Sequence, residues 1–183
     1  MTDATRRTFR VWDIGVRLFH WSLVVTFAVA WATGDEWGKV HEPAGYLILA
    51  LVAARLVWGV IGTRYARFWQ FVRRPRFVID YLASMVSGKE RRYLGHNPAG
   101  GAMVVALLVA LIATGMTGWM MTLDAYWGVE WVEELHEAIA NLTIAMVAVH
   151  VVGVALASVR HHENLVRAMI DGRKREPAPG DIV

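Results

Sequence analysis

The chain has 183 residues, of which 56% are hydrophobic and 19% are charged, and its formal net charge is +3 at pH 7. This apolar share is well above that of ordinary soluble domains and indicates an integral membrane protein. The sequence has no cysteine, which excludes disulfides, thiolate metal sites, iron–sulfur clusters and covalently attached c-type haem. The basic residues flank apolar runs and form no separate basic domain, so we expect no nucleic-acid partner.

Four apolar runs have the length of membrane-spanning helices, which need about 20 residues each. In chain order they cover residues 16–33, 44–62, 101–123 and 134–159. The first run is longer than the apolar part of a signal peptide and no small-residue cleavage site follows it, so we expect it to remain as a helix. The predicted fold is all-α, a single domain over residues 1–183 built as an integral membrane four-helix bundle.

The connection 64–100, between the second and third runs, mixes aromatic and basic residues. After Pro75 its apolar spacing predicts a helix that lies on the inner membrane surface and binds anionic lipid. The tail 176–183 contains two prolines and is expected to be disordered.

Lysine and arginine are concentrated in three places, namely the N-terminal segment up to Arg17, the connection 64–92 and the segment from Arg160 onwards. Together these hold every lysine and arginine except Lys39 and Arg55, whereas the connections 34–43 and 124–134 are acidic. The positive-inside rule therefore predicts that both termini and the middle connection are cytoplasmic and that the two acidic connections face outwards.

Four histidines lie in or at the ends of the apolar runs: His20 in the first, His41 at the start of the second, and His136 and His150 in the fourth. A polar ring in a membrane helix is costly and usually has a partner. Fourteen residues separate His136 from His150, which places them about 21 Å apart on nearly the same face of one helix. With the predicted orientations, His41 shares a depth with His136, and His20 shares a depth with His150. Two imidazoles at each depth suit one iron each, so the pattern predicts two b-type haems.

Plainer interpretations exist for these histidines. Taken alone, His41 and His136 would be interfacial hydrogen-bonding residues. Zinc would require three or four close ligands, whereas each depth offers two. The remaining histidines, His96, His161 and His162, are expected to be solvated or to contact lipid headgroups.

Two arginines are predicted to lie near the cytoplasmic haem. Arg17 precedes His20 by about one turn, and Arg55 follows His41 by fourteen residues. A buried arginine needs an anion, which a haem propionate would supply to both residues, with a quinone as a further partner for Arg55. The alternative is that both side chains reach lipid headgroups. Small residues in the runs, including Gly115 and Gly118, would allow helices or a flat cofactor to approach closely.

Several stretches together carry a resemblance to a known family: VWDIGVRLFHWSLVVTFAVAWATG, HEPAGYLILALVAARLVWGVIG, RRYLGHNPAGG, ELHEAIANLTIAMVAVHVVGV and HHENLVRAMIDGRKR. They resemble the bacterial cytochrome b561 family, which is related to the cytochrome b subunits of nickel-iron hydrogenases, and the resemblance covers nearly the whole chain. It implies two haem b groups ligated by His20, His41, His136 and His150 in the bacterial inner membrane. It also implies electron exchange between the quinone pool and a periplasmic partner, either a c-type cytochrome or a dehydrogenase.

The predicted function is therefore transmembrane electron transfer through two irons that have no open coordination position. One alternative is a superoxide oxidase that reduces ubiquinone, in which Lys39 would guide the anion. Another is a membrane anchor subunit of a larger redox complex. The sequence leaves open whether the chain is a plain electron carrier or a quinone-linked oxidoreductase, and whether it forms a homo-oligomer.

Overall fold

The computed structural model describes residues 8–34 and 38–183, and within them the chain is mostly helical. The α-helices are α1 (Ile14–Ala32), α2 (Gly38–Ile61), α3 (Phe68–Phe71), α4 (Pro75–Val86), α5 (Pro98–Met121), α6 (Glu130–Arg160) and α7 (Leu165–Asp171). A single 3-10 turn, Arg64–Ala66, precedes α3 in the described residues. Two short strands, β1 (Thr8–Arg10) and β2 (Arg173–Arg175), pair antiparallel.

Four helices, α1, α2, α5 and α6, are long and apolar enough to cross a membrane, with mean hydropathy from 1.5 to 2.3. Between 6% and 28% of their most apolar stretches are buried within the chain. Most of these apolar side chains therefore face outwards, which suits helices surrounded by lipid. The prediction of four apolar helices of spanning length is confirmed, and the small sheet is the departure from an all-α fold.

All four long helices begin earlier than the apolar runs predicted. The first residues are Ile14 in α1, Gly38 in α2, Pro98 in α5 and Glu130 in α6. The first turns of α2 and α6 contain charged residues, so apolar runs do not include them. In α6 the charges are the carboxylates of Glu130 and Glu133, which suit a helix N-terminus. His41 consequently lies in the first turn of α2, inside the helix.

The described residues form two compact units. The terminal unit comprises residues 8–17, 58–104 and 150–183, and the central unit comprises residues 18–34, 38–57 and 105–149. A small apolar core fills the terminal unit, with Trp12, Tyr65, Leu94 and Ala168 among its buried members.

The C-terminal tail is held in the terminal unit by backbone hydrogen bonds. The amide of Ile182 donates to the carbonyl of Arg92 (2.9 Å), and the amide of Leu94 donates to the carbonyl of Ile182 (3.0 Å). The expected disorder of residues 176–183 is therefore wrong.

The physical reason is a cluster of four charged side chains that are each at most 10% exposed: Arg92, Glu163, Lys174 and Asp181, here called the ion cluster. The Arg92 guanidinium binds the carboxylates of Glu163 and Asp181, and Lys174 Nζ lies 3.9 Å from Glu163 Oε2. Burial disfavours the charge on Glu163, but hydrogen bonding from Arg92 and the positive charge of Lys174 outweigh it and lower the pKa of this carboxyl. Asp181 thus ties the tail to the segment before α5, and Arg92 links that segment to Glu163, which precedes α7.

The helix predicted after Pro75 is confirmed, since α4 begins at that proline. Proline suits the first turn of a helix because the amide it lacks would have had no helical partner there. Tyr81 is buried, whereas Ile79, Leu82 and Val86 are 65%, 47% and 91% exposed. These three side chains form an apolar stripe, since their spacing puts them on one face of the helix.

Candidate functional site

The central unit brings two of the predicted haem ligands together. His41, in the first turn of α2, and His136, in the second turn of α6, have ring centroids 6.0 Å apart. The two ring planes meet at 85°. Both rings are half-buried, and each lies within its helix, His41 in the first turn of α2.

Backbone carbonyls accept hydrogen bonds from one nitrogen of each ring. Nδ1 of His41 lies 2.8 Å from the carbonyl oxygen of Ala30, and Nδ1 of His136 lies 3.0 Å from that of Thr114. A carbonyl oxygen can only accept, so each Nδ1 carries a proton and donates it. In each neutral ring the lone pair is therefore on Nε2, the nitrogen left to bind a metal.

Helix α5 comes very close to the ring of His136. A Cβ placed on Gly118 would lie 3.1 Å from Cε1 of His136, so a glycine leaves room for this ring. The hydroxyl oxygen of Thr117 lies 3.1 Å from Nδ1 of the same ring. At Gly118 the close neighbour is thus the imidazole of His136, whereas the sequence predicted a neighbouring helix or a flat cofactor.

Sequence reasoning missed Ala30, Thr114 and Thr117. Ala30 and Thr114 act through backbone carbonyls, which every residue has and which therefore leave no signal in a sequence. Thr114, Thr117 and Gly118 do share one face of an otherwise apolar helix, and that polar face was the available clue.

The separation of the two rings fits one metal held from both sides. Two imidazoles bound to a single metal, each through a bond of about 2 Å, have ring centres roughly 6 Å apart. Within residues 8–34 and 38–183, no three histidine, aspartate or glutamate side chains come together as a metal site, so the zinc alternative finds no support there. Two imidazoles that keep Nε2 for a metal are a donor pair that can hold a b-type haem.

The other two predicted ligands lie in different units. His20, in α1, belongs to the central unit, is half-buried and packs edge-on against Trp21 with centroids 5.1 Å apart. His150 belongs to the terminal unit and is also half-buried. One uninterrupted helix, α6, carries both His136 and His150. The pairing of His20 with His150 stays a prediction.

The predicted accessory cations differ in their surroundings. Arg55, within α2, is 4% exposed. Arg17 donates from Nη1 to the carbonyl of Ile170 near the end of α7, where a cation is favourable because the helix dipole is negative there. Arg17 thus has a partner within the protein, and a contact with a propionate stays a prediction. Lys39 is exposed, two residues before His41 in the first turn of α2.

The expectation for His96 is wrong. Its ring lies between two aromatic rings, with centroids 4.7 Å from Trp12 and 4.6 Å from Phe71, and it is half-buried rather than solvated. His162 is exposed as expected. His161 is half-buried, and burial lowers its pKa.

Comparison with known proteins identifies similar chains. A family model described as prokaryotic cytochrome b561 matches residues 11–172. Two curated relatives are the probable Ni/Fe-hydrogenase 1 B-type cytochrome subunits of Escherichia coli strain K12 and of Escherichia coli O157:H7. Each is 24% identical to this chain, and each match covers 61% of the chain and 59% of the relative. No solved structure matches the chain significantly.

Proposed function

This chain belongs to the prokaryotic cytochrome b561 family, and from that membership we propose that it carries electrons across the bacterial inner membrane through two b-type haems. The quinone pool exchanges electrons at one end of this path, and a periplasmic c-type cytochrome or dehydrogenase exchanges them at the other. The similarity to B-type cytochrome subunits supports a redox role, and four helices of spanning length support a membrane location.

The pair of His41 and His136 is the observation that carries the proposal. Their 6.0 Å separation and their carbonyl-bound Nδ1 atoms would allow both rings to hold one haem iron through Nε2. We assign this pair to an outer haem, and His20 with His150 to an inner haem near Arg55. When bound, haem supplies one-electron redox chemistry.

Residues of the chain would position the haems for electron transfer. His41 and His136 would hold the iron of the outer haem, which would supply one-electron transfer there. The carbonyls of Ala30 and Thr114 keep both rings in the tautomer that can bind metal. Arg55 is a buried guanidinium whose positive charge would pair with a propionate or a quinone oxygen.

Histidine substitutions test the ligand assignment. We expect His41→Ala and His136→Ala to lose the outer haem, and His150→Ala to lose the inner haem while keeping the outer one. Haem content per chain and a redox titration of the purified protein measure this. His162→Ala is the matched control, because that histidine is exposed, and it should keep both haems. Retention of two haems by His136→Ala or by His150→Ala would contradict the assignment.

Lys39 favours a second candidate function, the oxidation of superoxide with reduction of ubiquinone. It is an exposed cation two residues before His41, a proposed haem ligand. Two superoxide anions would each give one electron and leave as oxygen, and one quinone would take two electrons and two protons. Lys39→Glu should slow superoxide-driven quinone reduction, whereas Lys89→Glu, also exposed, should not. A wild-type protein that does not reduce quinone with superoxide would exclude this candidate.

The anchor alternative makes a different prediction for the same material. A subunit that only anchors a complex has no need of haem, so the purified chain would show no reduced-minus-oxidised haem spectrum. A spectrum of two b-type haems that respond to quinol would exclude it.

A further inference from the structure

We propose that Thr117 is a positioning residue for the outer haem. Its hydroxyl, together with the carbonyl of Thr114, holds the imidazole of His136 nearly perpendicular to that of His41 and lowers the reduction potential of the iron. This inference rests on the proposed function, because it needs His41 and His136 to be the ligands of one iron.

The hydrogen positions around His136 follow from which atoms can donate. The Thr117 hydroxyl lies 2.9 Å from the carbonyl of Ala113 and 3.0 Å from that of Thr114, and a carbonyl can only accept. The hydroxyl therefore gives its single proton to one of these carbonyls, and its oxygen is left as an acceptor. The proton on Nδ1 of His136 is then shared between the Thr114 carbonyl at 3.0 Å and Thr117 Oγ1 at 3.1 Å.

The surroundings keep this arrangement in one orientation. Thr117 is 7% exposed, so water does not compete for its hydroxyl. Gly118 leaves the ring just enough space, since an added Cβ would lie 3.1 Å from Cε1. His41 is oriented independently by the carbonyl of Ala30 on α1. Because the two rings are anchored to different helices, their 85° angle is set by the protein and not by each other.

Two measurable properties depend on these contacts. An acceptor on Nδ1–H makes the imidazole more basic at Nε2, which stabilises ferric iron and lowers the potential. Perpendicular axial rings keep the two highest occupied d orbitals of low-spin ferric iron nearly equal in energy, which produces a strongly anisotropic electron paramagnetic resonance signal with a large maximum g value. Rings that rotate towards parallel produce a smaller maximum g value.

The test compares three threonine variants of the haem-loaded protein. Thr117→Val removes the hydroxyl and keeps the shape of the side chain, so we expect a higher midpoint potential and a smaller maximum g value for the outer haem. Thr117→Ser keeps the hydroxyl and should keep both values. Thr143→Val is the matched control, because this threonine is also buried and its hydroxyl donates to the carbonyl of Ile139 on its own helix, so both values should stay as in the wild type.

The outcomes separate this inference from the proposed function. Two haems in Thr117→Val with wild-type potential and signal would overturn the role of Thr117 alone. If Thr117→Val loses the outer haem, the serine variant decides. A wild-type midpoint potential and maximum g value in Thr117→Ser would support the role of the hydroxyl, whereas loss of the outer haem from Thr117→Ser would overturn it. Absence of haem from the wild-type chain would instead remove the proposed function.

Discussion

Single side chains that are far apart in sequence decide how the terminal unit is held together. In the ion cluster, Glu163 faces two cations, Arg92 and Lys174, while its own side chain is 8% exposed. Removing one partner of a buried ion pair leaves an uncompensated charge, which is far more costly than removing an exposed pair.

Glu163→Gln should therefore loosen the tail. We expect local opening of the terminal unit to become easier by roughly 3–5 kcal/mol, the cost of leaving a buried charge without its partner. Hydrogen exchange at the amides of Leu94 and Ile182 measures it, because these amides close the tail. Asp80→Asn is the control, since its pair with Arg76 is exposed, at 66% and 90%, and should change exchange little. Equal protection of these amides in both variants would contradict a stabilising role of the ion cluster.

Lys174 makes the stability of the same unit depend on pH. Burial lowers the pKa of Lys174 to about 8, below the usual lysine value of 10.5. Between these values the opened state binds more protons than the closed one, so stability rises with pH from about 8 towards 10.5. Protection factors at Leu94 and Ile182 across this range should rise, and Lys174→Met should flatten the rise. A wild-type profile as flat as that of the methionine variant would contradict this pKa.

At the scale of the element, α4 has two faces with different environments. Tyr81 is buried against the rest of the unit, whereas Ile79, Leu82 and Val86 form an exposed apolar stripe. An amphipathic helix that leaves such a stripe uncovered, next to basic residues, has the character of a helix that lies at a membrane surface.

Spin labels can test where the stripe of α4 lies, because the chain has no native cysteine to interfere. A label on Ile79→Cys or Leu82→Cys should be more accessible to oxygen, which dissolves in lipid, than to a water-soluble nickel chelate. The native Asp80 side chain pairs with Arg76 and is 66% exposed. A label on Asp80→Cys should therefore be more accessible to the nickel chelate than to oxygen. Similar accessibility at positions 79 and 80 would place α4 in water.

The secondary-structure elements also show which parts of the structure the sequence predicted. Apolar runs identified all four long helices, because hydropathy alone determines them, but they missed first turns such as the one that holds His41. The order of the tail was missed because it depends on charges at positions 92, 163, 174 and 181, which only folding brings together. The contact of Thr117 with His136 depends on how α5 packs against α6, and periodicity does not specify that packing.

At the scale of the whole molecule, each end of the proposed electron path faces a defined side of the membrane only if every chain inserts in the same orientation. The predicted cytoplasmic segments contain every lysine and arginine except Lys39 and Arg55. Such an asymmetry sets orientation because basic segments are retained on the cytoplasmic side during insertion. The outer haem of His41 and His136 would then face the periplasmic partner, and the inner haem would face the cytoplasmic half.

Cysteine labelling in intact spheroplasts tests this orientation directly. Asp124 and Lys89 are both exposed, in the acidic connection after α5 and in the basic connection before it. Because the chain has no other thiol, a membrane-impermeant maleimide should label Asp124→Cys in intact spheroplasts and label Lys89→Cys only after detergent is added. The detergent-treated sample controls for reactivity at both positions. Labelling of Lys89→Cys in intact spheroplasts would reverse the orientation and place the pair of His41 and His136 on the cytoplasmic side, where a periplasmic partner cannot reach it.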